Sequence, residues 1–492
     1  MAKPHPFFMV LGLLLGSFCT SAAPASDFNA QVAQAYALTA KLKINSGRAI
    51  IQKELQANPN NVPALLVANY QDFLTLSILQ NPADYDRLVE AQEKRLKLIG
   101  SLKEKSAWVN YSLAEIRMQL AICRLLFGHR LEAAWDFRQA YLQYEANAKA
   151  YPSFLPNKKT LGLLQVMIGS VPDSYQWILR IVGMRGSVAT GLANLKTAAT
   201  QEHPFREEAL LTYVFVKQLL DQEQIEQAQK VFAGLMKEEP DNLLYSFLAM
   251  HLYKKDKKSD KVLQLFLNRP TGNQYLPFPY LHHMVADVYL YKGHLDRSIR
   301  ENSLFLKQHP GTHYRKAAHF KLYLAYWLDA DYQKANYHYN QISEEGETVL
   351  EEDNYAAKFV EKKEQFNKYL LWARLRSDGG YYKEALADAN KLEITSETPV
   401  PIRAEYLYRK ARIFDGMEED SLAKKYYDST INACRSTSLY FAPNAALHLG
   451  YIYQEENNKE KARAYYKQAL SYKGHEYKNS IDNKAKLALS SL

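Results

Sequence analysis

The sequence is short of cysteine, with three in 492 residues. Cys19 lies in the N-terminal segment, and Cys123 and Cys434 sit far apart on apolar helix faces. No disulfide framework is implied, and both later cysteines read as small core residues. Metal-ligand spacing is missing as well. His282 and His283 are the only adjacent histidines, and neighbouring helical positions point about 100° apart, so the pair cannot chelate one ion. No H-E-x-x-H, P-loop, G-x-G-x-x-G or G-x-S-x-G string occurs, which removes the common signatures of metalloproteases, nucleotide binders and serine hydrolases. Gly183-Met184-Arg185-Gly186 has no preceding strand from which to cradle a dinucleotide. Long apolar runs are absent too. Phe7 to Phe18 is too short to span a bilayer comfortably, and the apolar stretch Leu161 to Val182 is broken by Pro172-Asp173-Ser174. Strong charge of one sign is lacking: a formal net charge of +9 over the whole chain favours acidic partners or anionic surfaces without requiring either. No nucleic-acid-binding motif accompanies it, so no nucleic-acid partner is expected. No cofactor or metal is implied, and the chain reads as a non-enzyme.

What the sequence has in quantity is tyrosine, 36 residues against 20 phenylalanines and 5 tryptophans. In stacked helices a tyrosine ring fills the wedge between neighbours while its hydroxyl stays wet. The pattern is clearest from Ala446 to Gly474. Ala446, Leu449-Gly450, Tyr453, Ala462, Tyr466 and Ala469 put small residues where two helices touch and large ones where they part. This run resembles the tetratricopeptide (TPR) repeat, an antiparallel helix pair that stacks with its neighbours into a superhelix. The same spacing recurs around Ala385 and Ala423. These alanines and Ala462 are separated by 38 and 39 residues, longer than the ~34 of the strict motif. The expected fold is all-α, a tetratricopeptide-type α-solenoid wound as a right-handed superhelix. Residues 1–25 read as a signal peptide, with Ala23-Pro24-Ala25 as the cleavage pattern. Residues 26–200 read as divergent helical repeats containing the apolar hairpin, and 201–492 as the regular repeats, closed by a capping helix near Asn479 to Leu489. The bulky Phe18 before Cys19 argues against a lipidated cysteine.

A second resemblance covers about forty residues. Gly162-Leu163-Leu164, Gly169-Ser170-Val171-Pro172, Val182-Gly183-Met184-Arg185-Gly186 and Gly191-Leu192 resemble a signature of the inclusion-body clearance and tetratricopeptide-39-like family. That resemblance implies an all-helical repeat protein without known catalysis, linked in some members to lipid or aggregate handling. Met184 stands where an aromatic is usual and Arg185 where a small residue often sits.

In TPR arrays the inner face of the first helix of each pair lines a groove. Counting from the template, that face carries Tyr213 and Lys217, His283 and Asp287, Phe320, Arg374, Tyr408 and Arg412, and Tyr451. Arginine forks suit carboxylates, and aromatic rings clamp extended chains. The expected function is an exported, non-catalytic scaffold for a protein or peptide partner in the periplasm or at the outer membrane, with peripheral membrane association possible. The alternative is a lipid- or glycan-associated protein holding an acyl chain in the segment 161–182. Two short helices joined at Pro172 and buried inside the solenoid are expected there.

Overall fold

The structure is a computed structural model. It describes residues 28–171, 177, 179–221, 224–434 and 437–492. The signal-peptide and Cys19 readings lie outside these residues, as does the break at Pro172, Asp173 and Ser174.

Among the described residues every regular element is a helix. The first are α1 (Ala30–Ala40), α2 (Ile44–Ala57), α3 (Val62–Leu79), α4 (Pro82–Ser101), α5 (Ala107–Leu126), α6 (Arg130–Ala150), α7 (Leu155–Gly169) and α8 (Val188–Thr200). Next are α9 (Arg206–Leu220), α10 (Ile225–Glu238), α11 (Leu243–Lys255), α12 (Ser259–Asn268), α13 (Tyr280–Lys292), α14 (Leu295–Gln308), α15 (Arg315–Leu328) and α16 (Tyr332–Glu344). The last are α17 (Glu351–Glu361), α18 (Lys368–Asp378), α19 (Tyr382–Ala389), α20 (Val400–Gly416), α21 (Asp420–Ala433), α22 (Phe441–Glu455), α23 (Lys459–Ser471) and α24 (Lys478–Ser491). Consecutive helices pack as pairs, and each pair packs on the next. Side-chain caps start many of them. Asn61, Ser106, Asn242 and Asn458 each accept a backbone N–H of the first turn, which satisfies a donor that the helix leaves open.

Small residues sit at the helix crossings as the repeat pattern requires. Ala385, Ala423 and Ala462 are fully buried. A Cβ on Gly450 would lie 2.3 Å from Cε1 of Tyr466, so α22 and α23 meet at that ring. The glycines from 162 to 191 have the same cause. A Cβ on Gly191 would lie 2.4 Å from the carbonyl oxygen of Gly162, and one on Gly162 would lie 2.9 Å from that of Gly191. Helices α7 and α8 therefore touch backbone to backbone.

The apolar hairpin is only half as expected. Leu161, Leu164, Val166 and Ile168 on α7 are buried. Trp177 and Ile181 are not, at 56% and 74% exposure. The second arm lies on the outside, because α6 already covers the flank of α7 and holds this arm by its backbone: Arg138 Nε donates to the Val182 carbonyl at 2.8 Å. One helix among the described residues, α3, is long and apolar enough to cross a membrane, and it is almost wholly buried as a core helix.

One continuous core runs from Phe28 to Tyr289, after which the core divides into smaller clusters. The turns of the solenoid also touch across long stretches of sequence. Lys41 and Lys43 hold the two oxygens of Asp241 at 2.7 and 2.6 Å. The Leu276 N–H donates to the Leu42 carbonyl at 2.8 Å, and His313 Nε2 lies 2.6 Å from the Leu126 carbonyl.

Candidate partner-binding face

The arginines and tyrosines picked out in the C-terminal repeats stand on neighbouring helices. Arg374 on α18 donates to the Tyr355 hydroxyl at 2.8 Å and lies over that ring, 5.4 Å from its centroid. On α20, Arg412 faces His448 of α22 through Nη1, 2.9 Å from Nδ1. The His448 ring stacks on Tyr427 at 5.5 Å and meets Tyr451 edge-on at 5.8 Å. Tyr408 is buried, its ring 5.1 Å from Phe441 and its hydroxyl bonded to Asn444. It supports the face from beneath rather than lining it, because α22 packs over it. Tyr440 links the group: it packs on Tyr408 at 6.1 Å and on Tyr477 at 5.0 Å, within the field of Arg374. Tyr213 and Lys217 form a separate pair on α9, the Lys217 ammonium 5.9 Å from the Tyr213 ring centroid.

The charge balance of this face favours cations. Burial, joined by the positive charge of Arg412, brings the Lys257 ammonium down to about 8. Burial and Arg412 lower Lys484 on α24 in the same direction, and burial with Lys484 lowers Lys255. Side chains from the end of α11, from α20 and from α24 thus crowd like charges together. Asp378, Asp415 and Glu351 stand near enough to offset part of this. Asp415 is already engaged. Burial would raise it, but His448, Tyr427 and Arg412 hold its carboxyl down at about 2, with the Tyr427 hydroxyl donating at 2.6 Å. Lys257 lies 5.2 Å from the Tyr382 ring centroid, and Lys255 bonds only the neutral Gln218, at 3.2 Å. Arg374 and Arg412 keep 29% and 27% of their side chains exposed and lie 3.8 and 3.6 Å from the carboxylates of Asp378 and Asp415. Such an arrangement can take a carboxylate-bearing chain between guanidinium forks and tyrosine rings.

The middle repeats show the opposite arrangement. Asp287 accepts Lys254 and, at 2.9 Å, Lys321, and Lys321 reaches Glu352 at 3.1 Å and His283 at 2.7 Å. Charges here cancel within the protein. The run Glu351-Glu352-Asp353 therefore does more than open its own helix. Glu352 joins this network, while Asp353 accepts the N–H groups of Tyr314 and Ala317 at 2.6 and 2.9 Å and so caps α15 from outside.

Sequence reasoning also missed a fully buried group. Lys159 on α7 lies between Glu115 of α5, at 3.2 Å, and Glu208 of α9, and all three side chains are wholly buried. Tyr36 donates to Glu208 at 2.7 Å, and Tyr70, Tyr144 and Thr160 donate to Glu115 at 2.9, 2.6 and 2.8 Å. One ammonium cannot hold two carboxylates equally. Burial pushes Glu208 up to about 7, whereas Glu115, which burial also disfavours, is kept below its ordinary value by Lys159 and its three hydroxyl donors. The partners are 44 and 49 residues from Lys159 in sequence, so no local pattern announces them. The group ties six helices together, α1, α3, α5, α6, α7 and α9. Among the described residues no set of three or more His, Cys, Asp or Glu side chains could hold a metal ion.

The architecture is an all-α stack of helix pairs, one of which is similar to a tetratricopeptide repeat. A model described as "Tetratricopeptide repeat" matches residues 443–475, which is α22, α23 and the turn after them. Two solved structures are similar over most of their length. The human IFIT1 dimer with m7Gppp-AAAA shares 12% identity at a TM-score of 0.37, covering 94% of each chain. The APC/C hetero-tetramer Cut9-Hcn1 shares 10% identity at a TM-score of 0.30, covering 94% of this chain and 97% of that one. No curated protein matches.

Proposed function

We propose that the chain is an exported, non-catalytic TPR scaffold whose inner face takes an acidic peptide segment of a protein partner, in the periplasm or at the outer membrane. The observation that carries this reading is the cationic excess at Lys255, Lys257, Arg412 and Lys484, set among Tyr355, Tyr440 and Tyr451. Among the described residues Lys255, Lys257 and Lys484 make no ion pair, whereas Lys321 in the middle repeats has Asp287 and Glu352. An extended acidic chain fits better than a compact anion, because the cations are spread over three helices with aromatic rings between them. From the glycine-rich stretch 162–191 this reading takes the helical fold alone, since the contact of α7 with α8 accounts for Gly162 and Gly191, and a left-handed turn for Gly183.

The test is cross-linking capture from the native envelope with wild type beside Arg374→Ala/Arg412→Ala. A protein retained by wild type and lost from the variant supports the scaffold, and loss of at least tenfold in affinity (~1.4 kcal/mol) is expected. Equal capture by both proteins, or none by either, defeats it. Export is checked separately by N-terminal sequencing of the mature chain, which is expected to begin at Ser26. A chain that retains residues 1–25 in the cytosol removes the localisation.

A further inference from the structure

Helices α5, α6 and α7 line a half-open cavity of about 260 Å³. Its walls are apolar, among them Met118, Ile122, Leu125, Phe137, Leu163 and Met167. Thr160 also lines it, but the Thr160 hydroxyl is committed to Glu115 at 2.8 Å. Arg130, at the start of α6, is the only ionisable residue on the lining. Its side chain is exposed and, among the described residues, its guanidinium has no hydrogen bond or ion pair. Water in such an apolar cavity finds few hydrogen-bond partners, so an apolar occupant displaces it readily.

We propose that the cavity holds the alkyl chain of a single-chain carboxylate, a fatty-acid-type amphiphile, with the carboxylate on Arg130. The volume takes roughly ten methylene groups at the packing density of protein interiors, one chain and not the two of a phospholipid. A single unpartnered cation at the edge of an otherwise uncharged lining selects an anionic head over a neutral or cationic one.

The surface beside the cavity continues it. Arg130, Ala133, Ala134 and Phe137 line the cavity from one face of α6. The adjacent face carries Leu131 and Trp135, 85% and 60% exposed. One turn on, Arg138 binds the carbonyl of Val182, which sets the exposed Ile181 along the same helix. A longer chain leaving the cavity thus emerges onto apolar side chains. This inference does not depend on the peptide-binding face, which lies on other helices.

The full chain is titrated calorimetrically with decanoate, decan-1-ol and decyltrimethylammonium. Decanoate is expected to saturate at one site and to bind at least tenfold more tightly than the cation. Ala134→Phe, which fills the cavity from an exposed position, is expected to abolish binding of decanoate and decanol with an unchanged melt. Met167→Trp fills it from α7 and replaces Ala134→Phe if that variant melts early. Arg130→Glu is expected to weaken decanoate at least tenfold and leave decanol unchanged. Four results each overturn the proposal: no saturable decanoate binding, equal binding by the filled variants, indifference of decanoate to Arg130→Glu, or binding to phosphatidylglycerol vesicles without binding to free decanoate.

Discussion

The N-terminal and C-terminal regions use the same residue types to opposite ends. In the first, Lys159, Glu115, Glu208 and three tyrosines close into a buried group, and aromatic rings seal it: the Lys159 ammonium lies 5.3 Å from the Phe205 ring centroid and 5.6 Å from that of Tyr70. In the second, Arg374 and Arg412 stay part-exposed beside Asp378 and Asp415, and among the described residues Lys255, Lys257 and Lys484 make no ion pair. A buried charge has to find its partner within the fold, because desolvation makes an unpaired one costly. A charge on a wet inner face has no such obligation and can wait for a ligand. The comparison teaches that the kind of side chain does not distinguish a structural cluster from a binding face. Water decides it.

The largest effect is expected at Lys159. Lys159→Ala leaves two carboxylates buried without a cation and should cost about 3–5 kcal/mol, read as a lowered midpoint in urea. A loss below about 1 kcal/mol would mean that the group is not closed to water. Next comes Ala462→Leu, which forces a larger side chain into the fully buried contact of α22 with α23 and should cost about 1–3 kcal/mol. A neutral melt there would put the repeat register in doubt. Arg374→Ala with Arg412→Ala should change stability by less than about 1 kcal/mol, since both side chains are part-exposed, while the partner is lost. If this pair destabilises as much as Lys159→Ala, the two regions do not differ as described.

The smallest effect separates them by pH. His203, in the turn between α8 and α9, takes the Phe205 N–H on Nδ1 at 3.2 Å and gives Nε2–H to the Ala198 carbonyl at 2.8 Å. Burial, with Lys159 and Arg206 nearby, holds its ring down at about 4 against an ordinary 6.5. Between those values the unfolded chain takes up a proton that the folded chain refuses. The stability His203 contributes is therefore present above pH 6.5 and lost as pH falls towards 4. Glu208 works in the other direction. Raised from 4.5 to about 7, it holds a proton that the unfolded chain has released, so its contribution is present below pH 4.5 and is lost as pH rises to 7. His203→Asn should flatten the rise of Tm from pH 5 to pH 7 and Glu208→Gln should steepen it, each on the order of 1 °C per pH unit. Slopes that shift in the same direction would show that one of the two is not buried in solution.

Much of this was legible in the sequence where the cause is local. Ala385, Ala423 and Ala462 could be placed because a helix pair admits only small residues at its crossing, and that constraint repeats with the motif. Arg374 and Arg412 could be put on helices by counting from the same template, and they stand on α18 and α20. Tyr408 could not be told from a lining residue, because the count fixes a helix position and not which neighbour covers it. Trp177 and Ile181 read as buried since they are apolar, yet α6 occupies that side and leaves them outside. Lys159 looks like one of two polar residues opening a helix, and Asp353 like an ordinary helix start. Their partners lie tens of residues away, on helices whose adjacency is a property of the stacking and not of any local run.

The contacts between distant turns, from Lys41 and Lys43 to Asp241 and from Leu126 to His313, carry a mechanical consequence. A solenoid whose repeats meet only their neighbours stretches like a spring, each unit yielding a little. Here the coil is latched on itself. Pulled from its ends, the molecule should stay stiff until those ties rupture together, and only then lengthen repeat by repeat.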